Sequence, residues 1–303
     1  MGTPKFAVPT LEKLNDKYHV VEVFTQPPRL SGRGMNLKKN PIQVFAEKND
    51  LCVNTPSQIK DTNIINHLNK IKADIIIVVA YGLILPGEIL NMFKYGCVNG
   101  HASLLPRWRG AAPIQRSIEA GDNVTGCTSM LMVKGLDSGP ILHKKKILIG
   151  QDDNYLTIHD KLSHLTSICI DETIQKILLG KLTLHPQNKN KVTYANKLVK
   201  SEGRINWREN AIKIYNKIRA FKYFPGTYFY HNGIRINLID GIPMTEKHNK
   251  KSGYVIDINQ GIKIACGQNS IFQILTIQKE GKKIMPIKDF LNGSKIKIGD
   301  FFE

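Results

Sequence analysis

The sequence has 303 residues, of which 42% are hydrophobic, and its 43 Lys and Arg outweigh 25 Asp and Glu to give a formal net charge of +18. This composition excludes a largely disordered chain, and the length predicts about two domains. The longest apolar run is broken at Tyr81 and Gly82, which excludes a membrane-spanning helix. The first residues lack the apolar core of a signal peptide, and five widely spaced cysteines without a Cys-x-x-Cys pair favour neither a disulfide framework nor a zinc site. We therefore expect a cytoplasmic protein with neither a bound metal nor a membrane partner.

Residues 1–182 alternate between helix-like and strand-like segments. In chain order, the candidate helices are Pro9–Tyr18, Pro41–Asn49, Asp61–Lys70, Pro113–Gly121 and Leu156–Leu179. The candidate strands are His19–Thr25, Asp74–Ala80, Gly96–His101, Thr125–Val133 and Ile141–Ile149. This alternation predicts a first domain of the α/β class, with a doubly wound, mostly parallel sheet covered by helices.

The character of the sequence changes after Gly180. Residues 183–202 are polar, rich in Lys and Asn, and predict a linker. One amphipathic helix follows at Asn210–Phe221, and from Thr227 onward five short alternating segments are separated by turn signals. One helix and five short strands predict a small β-barrel of the oligonucleotide-binding (OB) type, which forms a second domain over residues 203–303.

The positive charge has two explanations. It is either the electrostatic footprint of a polyanion such as nucleic acid, or the result of a composition rich in Lys, Ile and Asn. Residues 183–303 hold 21 basic and 9 acidic residues, so they carry a net +12 of the total +18. A uniform bias does not predict this asymmetry, which favours a polyanion partner for the C-terminal part.

The segment Cys97–Gln115 (CVNGHASLLPRWRGAAPIQ) is the densest group of candidate functional residues. Asn99 and His101 lie two residues apart at a strand end, so their side chains should point to the same side. An amide beside an imidazole can polarise a carbonyl and stabilise the oxyanion that forms when the carbonyl is attacked. The alternative is an Asn-Gly turn followed by a structural histidine. The stiff backbone of Ser103–Pro106 would suit hydrogen bonding to a flat heterocycle.

A second candidate is the loop Lys134–Pro140 (KGLDSGP), in which two glycines flank Asp137. In a doubly wound sheet, this loop and the strand end that carries the imidazole should both lie at the carboxyl edge, where ligands bind. A carboxylate next to an imidazole raises the pKa of the ring and orients it, which makes an acid–base pair. The alternative is a surface turn, which Asp, Ser and Gly all favour. The basic run Lys144–Lys146 is interpreted as a solvated strand edge.

The loop Gln26–Lys39 (QPPRLSGRGMNLKK) is strongly basic. Its Gly-x-Gly lacks the third glycine and the prompt helix of a dinucleotide-binding site, so we reject that function. Basic residues in a glycine-containing loop can order on a phosphate backbone, and a solvated flexible loop is the alternative. The candidates for such contacts are Arg29, Arg33, Lys38 and Lys39.

Taken together, several motifs resemble those of the methionyl-tRNA formyltransferases. They are Gly2–Pro4, the loop from Phe24 to Gly34, Ala80–Pro86 (AYGLILP), Asn99–Pro113 (NGHASLLPRWRGAAP), Gly135–Gly139 (GLDSG), Val192–Leu198 (VTYANKL) and Arg204–Trp207 (RINW). The resemblance covers essentially the whole chain. It implies a Rossmann-like formyltransferase domain followed by a C-terminal OB-like barrel that binds tRNA.

The resemblance also implies a reaction and the residues that carry it. The reaction is transfer of the formyl group of 10-formyltetrahydrofolate to the α-amino group of methionine on initiator methionyl-tRNA, for translation initiation. Asn99 and His101 would bind the formyl oxygen, and Asp137 would orient His101 and help to move protons. The residues lining the folate site would be Ser103, Leu104, Leu105 and Pro106. The loop around Arg33 would enter the acceptor end of the tRNA, and the basic barrel would hold its stem. Separately from the resemblance, we expect a monomer.

Two other functions stay open at this point, namely a formyltransferase for an amino sugar nucleotide and an inactive RNA-binding relative. The family begins with an apolar strand before the Gly-Thr-Pro motif, and here Met1 directly precedes Gly2. That strand should be central to the sheet, and its loss would leave a long unpaired edge. We therefore expect the true start codon to lie upstream of Met1.

Overall fold

Short strands and helices alternate along the first half of the chain, and the computed structural model describes residues 1–31 and 35–303. The helices are α1 (Val8–Lys17), α2 (Pro41–Lys48), α3 (Thr62–Lys70), α4 (Gly87–Leu90), α5 (Pro113–Glu119), α6 (Tyr155–Leu178), α7 (Ala211–Ala220) and α8 (Ile287–Asn292). The strands are β1 (Val23–Phe24), β2 (Arg29–Ser31), β3 (Asn36–Lys38), β4 (Val53–Asn54), β5 (Ile76–Val78), β6 (Cys97–His101), β7 (Arg109–Gly110), β8 (Val124–Leu131), β9 (Ile141–Leu148), β10 (Tyr194–Ala195), β11 (Tyr228–His231), β12 (Ile234–Lys247), β13 (Val255–Asp257), β14 (Ile262–Ala265), β15 (Ser270–Lys279) and β16 (Met285–Pro286). Among the described residues, no helix is long and apolar enough to cross a bilayer, and no group of three His, Cys, Asp or Glu side chains could hold a metal ion.

Polar caps fix where two of the helices begin. At the start of α2, the Asn40 side chain accepts a hydrogen bond from the Gln43 N–H at 3.0 Å, and Pro41 occupies the first helical turn. At the start of α3, Asp61 accepts from the Asn63 N–H at 2.8 Å. Each cap satisfies an N–H group that has no partner within its own helix, which is why these starts are readable from the sequence.

The chain divides into two units. The first unit comprises Met1–Pro113, Val124–Leu148 and Ile158–Ala195, and the second comprises Ile114–Asn123, Ile149–Thr157 and Asn196–Glu303. Residues 183–195 belong to the first unit, where β10 pairs with β7. The domain boundaries at residues 182 and 203 stay a prediction.

A four-stranded sheet in the order β5-β6-β8-β9 forms the centre of the first unit. β5 and β6 run parallel, whereas β8 is antiparallel to both β6 and β9. Residues 132–140 join β8 to β9, and this connection is too short for the helical crossover that a parallel pair requires. The predicted α/β fold class is confirmed. The sheet departs from a parallel one in β8, which runs against the other three strands, since β9 is antiparallel to β8 and therefore parallel to β5 and β6.

The first unit contains a cavity beside its first two residues. The Gly2 N–H donates to Phe24 O at 3.1 Å, and the Met1 nitrogen donates to Ile77 O at 2.7 Å, so these residues link β1 to β5. Next to this link, an apolar cavity of about 560 Å³ separates the two strands. Its lining includes Val21, Val23, Ile75, Ile77, Ile174 and Ile177. β1 is shorter than the predicted strand His19–Thr25 because the residues before Val23 face this cavity rather than a neighbouring strand.

An antiparallel sheet in the order β11-β12-β15-β14-β13 dominates the second unit, and β16 pairs with β15. Register shifts in β12 after Leu238 and Met244 mark irregularities of the kind that bend and twist a strand. Trp207 lies in the core, edge-to-face on Phe229 with ring centroids 5.6 Å apart. This curled antiparallel sheet is consistent with the OB-like domain predicted from the sequence.

Candidate active site

Asn99 and His101 occupy alternate positions on β6, with Gly100 between them. Asn99 is paired in register with both β5 and β8, and His101 is paired with β8. Gly100 faces α6 so closely that a Cβ there would lie 2.7 Å from Thr166 Cγ2. Because side chains alternate along a strand, Asn99 and His101 lie on the face of the sheet opposite α6.

His101 and Asp137 lie in direct contact. Their Nε2 and Oδ2 atoms are 3.2 Å apart and both side chains are largely buried, but the contact is not aligned as a hydrogen bond. The Gly110 N–H donates to the same carboxylate oxygen at 2.7 Å. Burial raises the pKa of Asp137, but His101, the Gly110 N–H and the nearby Arg109 charge together hold it below its ordinary value. Asp137 is therefore ionised at neutral pH, and an anion faces the imidazole.

Gly110 can reach Asp137 because it has no side chain. Its φ is +119°, and a Cβ at this position would lie 2.8 Å from Ala195 O, which belongs to the paired strand β10. Another residue would have to push β7 and β10 apart. The hydrogen bond to the carboxylate thus depends on the close approach of these two short strands.

A side-chain network holds the backbone of the loop that carries Asp137. Arg109 donates to Gln187 Oε1 through Nε at 3.1 Å and through Nη2 at 2.8 Å. Gln187 Nε2 in turn donates to the carbonyls of Asp137 and Gly139, each at 2.8 Å. Sequence reasoning missed Gln187, because this residue lies in a polar stretch without periodicity and far from the motif it supports.

The four residues predicted to line the folate site form one turn between β6 and β7. Ser103 and Leu105 are fully buried, whereas Leu104 and Pro106 are partly exposed. The Leu105–Pro106 peptide bond is cis. Of these four side chains, the two partly exposed ones are therefore placed to touch a ligand from solvent.

The backbone of this turn is hydrogen-bonded from two neighbouring strands. The Thr128 hydroxyl accepts from the Leu105 N–H at 3.1 Å and donates to Ser103 O at 2.7 Å. The Lys144 ammonium donates to Leu105 O. The interpretation of a solvated strand edge is wrong for Lys144, because this contact draws the side chain inward and the resulting burial lowers its pKa.

The basic loop forms the hairpin β2–β3 in the part that the structure describes. Arg29 lies directly opposite Lys38, so the two cations share one exposed face. Lys39 makes an ion pair with Glu47 at 2.7 Å, and it is therefore partly neutralised. Arg33 lies outside the described residues.

The base of this hairpin is attached to the sheet edge that carries Asn99. Gln26 Nε2 donates to Tyr81 O at 2.9 Å, and Asn40 Nδ2 donates to Gln26 O at 2.7 Å. Tyr81 follows β5, whose last residue, Val78, is paired with Asn99. The basic hairpin and the polar residues of β6 thus belong to the same edge of the first unit.

Two family descriptions match the chain, Formyl transferase over residues 1–174 and Formyl transferase, C-terminal domain, over residues 197–295. The chain is 42% identical over 299 residues to the methionyl-tRNA formyltransferase of Rickettsia bellii, a match that covers 98% of this chain and 97% of that one. It is 41% identical over 299 residues to the methionyl-tRNA formyltransferase of Coxiella burnetii, with 98% and 95% covered.

Solved structures share the fold at much lower identity. The N-formyltransferase from Helicobacter canadensis, in complex with folinic acid and dTDP-3-aminofucose, has a TM-score of 0.70 at 18% identity and covers 90% of this chain and 96% of that one. HypX from Aquifex aeolicus, in complex with tetrahydrofolic acid, has a TM-score of 0.59 at 14% identity and covers 93% and 51%. At such identities the similarity establishes the fold alone.

Proposed function

The chain belongs to the methionyl-tRNA formyltransferase family, and we propose that it transfers the formyl group of 10-formyltetrahydrofolate to the α-amino group of methionine on initiator methionyl-tRNA. The observation that carries this proposal is the His101–Asp137 pair beside Asn99, in a chain 42% identical to a curated member along nearly its whole length. The enzyme is thus a one-carbon group transferase that uses a folate-type donor.

The reaction sets clear demands on the site. The methionine nitrogen forms a bond to the formyl carbon, the bond from that carbon to N10 breaks, and one proton passes from the amine to N10. The products are N-formylmethionyl-tRNA and tetrahydrofolate. Negative charge develops on the formyl oxygen in the tetrahedral intermediate, so the site must supply hydrogen-bond donors there.

Asn99 and His101 meet this demand. Within the part of the chain that the structure describes, the Asn99 amide makes no hydrogen bond, and buried His101 Nε2 has no aligned partner. Both groups are therefore available to the formyl oxygen. Asp137 lies beside the His101 ring, and its carboxylate can accept the proton that the amine must lose, directly or through a water molecule.

The turn at Ser103–Pro106 is our candidate for the folate site. Leu104 and Pro106 present partly exposed apolar surface that suits the face of a flat heterocycle, while Ser103 and Leu105 anchor the turn from within. The relatives from Helicobacter canadensis and Aquifex aeolicus were solved with folinic acid and tetrahydrofolic acid, which supports a donor of this class.

The tRNA would meet the basic hairpin and the second unit. Arg29 and Lys38 share one exposed face, and Lys39 and Arg33 complete the predicted set. Residues 183–303, which contain most of the second unit and the end of the first, carry a net +12, which suits a phosphate backbone. Removing either Arg29 or Lys38 should raise the KM for tRNA and lower the salt slope of binding by about one. Lys48→Ala, an exposed lysine at the end of α2, is the matched control.

Formylation of methionyl-tRNA by the purified protein tests the proposal. We expect donor-dependent formylation, with Asn99→Ala and His101→Ala each lowering kcat by on the order of 10²- to 10³-fold. His67→Ala removes an exposed histidine that pairs with Glu22, and it should leave kcat unchanged. Activity that survives His101→Ala would overturn the assigned site.

A second candidate acceptor is an amino sugar nucleotide, since the structural relative from Helicobacter canadensis was solved with dTDP-3-aminofucose. The same assay with an amino sugar nucleotide in place of tRNA separates the two functions. Transfer to the sugar without transfer to tRNA would favour this alternative. Steeply salt-dependent RNA binding without transfer to either acceptor would indicate an inactive RNA-binding relative.

A further inference from the structure

The Ser103 hydroxyl has one proton and two neighbours. Its Oγ lies 2.6 Å from Arg107 O and 3.0 Å from His101 Nδ1. A carbonyl oxygen can only accept, so the short contact with Arg107 O uses the hydroxyl proton. The Ser103 oxygen is then the acceptor towards the ring, and this arrangement favours a proton on His101 Nδ1.

A proton on Nδ1 leaves Nε2 as the nitrogen at which His101 gains or loses its other proton. Nε2 is the atom that lies 3.2 Å from Asp137 Oδ2. In the imidazolium it presents an N–H to the carboxylate, whereas in the neutral Nδ1–H ring it turns a lone pair towards that anion. The Ser103 contact at Nδ1 must therefore outweigh the preference of Asp137 for an N–H at Nε2. The hydrogen bond made by one ring nitrogen therefore decides the chemistry of the other.

Ser103 is also unable to turn away from the ring. Its own N–H donates to His101 O at 2.9 Å, which closes a tight turn between the two residues. The Thr128 hydroxyl donates to Ser103 O at 2.7 Å, and the Ser103 side chain is fully buried. The backbone thus fixes the distance between the hydroxyl and the imidazole, without reliance on a flexible side chain.

We propose that Ser103 is a positioning residue, which fixes the tautomer of His101 with the proton on Nδ1 and so directs proton exchange to Nε2, beside Asp137. The inference rests on the proposed formyl transfer, in which His101 faces the reacting atoms. It gives Ser103 a role other than lining the folate site. A serine that lines the folate site would act on donor binding, whereas this one acts on the chemical step.

Nitrogen NMR of protein labelled at the histidine rings tests the tautomer without any substrate. The protein has nine histidines, and the signal of His101 is identified as the one that disappears in His101→Ala. We expect wild-type His101, when neutral, to carry its proton on Nδ1, and Ser103→Ala to show the Nε2–H form. Wild-type protein with its proton on Nε2 would overturn the proposal, whatever the variants do.

Two further variants separate positioning from general packing. Ser103→Thr keeps the hydroxyl and should restore the Nδ1–H form, provided circular dichroism shows that it folds. Ser163→Ala is the matched control, because Ser163 is also buried and its hydroxyl donates to a backbone carbonyl, Phe6 O, at 2.7 Å. It should leave the His101 signal unchanged.

Steady-state kinetics supply the second readout. We expect Ser103→Ala to lower kcat by on the order of 10- to 100-fold with an unchanged KM for the formyl donor. A raised KM for the formyl donor, with an unchanged kcat and an unchanged tautomer, would mean that Ser103 lines the folate site and does not position His101. If the wild-type protein formylates neither acceptor, the proposed function fails, but the NMR result still decides the role of Ser103.

Discussion

Two regions of the first unit that meet at β5 and β6 are built in opposite ways. Around His101, hydrogen bonds and ion contacts of 2.6 to 3.2 Å hold Ser103 and Asp137 in place. One of these hydrogen bonds joins the Thr128 hydroxyl to Ser103 O. Between β1 and β5, apolar side chains surround a cavity of about 560 Å³. Protein interiors leave few voids larger than a water molecule, so the second region forgoes dispersion contacts that the first one makes. The first region is thus held by directional polar contacts, whereas the second has few packing partners between β1 and β5.

The largest expected effect comes from removing the negative charge of Asp137, in the hydrogen-bonded region around His101. Asp137→Asn keeps the shape of the side chain and can still accept from the Gly110 N–H, but it places no negative charge beside the His101 ring. We expect kcat for formylation to fall by on the order of 10³-fold, with a small change in KM. Single-turnover formylation of methionyl-tRNA measures the loss.

Asp171→Asn is the matched control for this substitution. Asp171 is also a largely buried, ion-paired carboxylate of the first unit, bonded to Lys17 at 2.6 Å and to Tyr18 at 2.7 Å. Its replacement should cost stability without changing kcat. Equal losses of activity in the two variants would show that the effect is on folding and not on the chemistry.

The next effect tests the support of the turn. Thr128→Val keeps the volume of a fully buried side chain but leaves Ser103 O and the Leu105 N–H without their partner. We expect a loss of about 2 kcal/mol in the free energy of unfolding, measured by urea titration. Thr166→Val is the control, because the Thr166 hydroxyl donates to a carbonyl of its own helix, Leu162 O. If Thr128→Val loses no more stability than Thr166→Val, the turn does not depend on the Thr128 hydroxyl for its stability.

Those parts of the fold that depend on interactions between neighbouring residues could be predicted from the sequence. The caps at Asn40 and Asp61 mark helix starts, and the β-branched run around β5 marks a buried strand. The reversed direction of β8 depends on its short connection to β9 and on its pairing with β6, which lies more than 20 residues earlier in the chain. Patterns of single residues do not encode such pairing, so the sequence predicted the strands but not their direction.

The site shows the same division between local and distant causes. Asn99, His101 and Asp137 were identified because their residue types and spacing are chemically specific. Gln187 was missed, since its role exists only through the carbonyls of a loop about 50 residues earlier, to which it donates. Lys144 was misread because its sequence context of three lysines is typical of solvent, whereas Leu105 O draws it inward.

Acidification gives a smaller effect, whose sign follows from the pKa of Asp137. Because the folded protein holds this pKa below its unfolded value of about 3.9, ionised Asp137 favours folding at pH values above that unfolded value. The contribution is lost as the pH falls through the folded pKa. Between pH 6 and pH 3, wild-type protein should therefore lose more stability in urea than Asp137→Asn does. Parallel losses in both proteins would mean that His101 and Gly110 do not favour the ionised carboxylate.

The smallest effect tests the region around the cavity. It compares the same substitution, Ile to Val, at two positions on α6. Ile170 is fully buried in a packed cluster, whereas Ile177 lines the cavity. Ile170→Val should cost about 1 kcal/mol of unfolding free energy, and Ile177→Val clearly less, because a methylene beside an empty space loses fewer contacts. Urea unfolding of both variants measures the difference. Equal costs would mean that the cavity wall closes on Ile177 in solution, and the two regions of the first unit would then be packed alike.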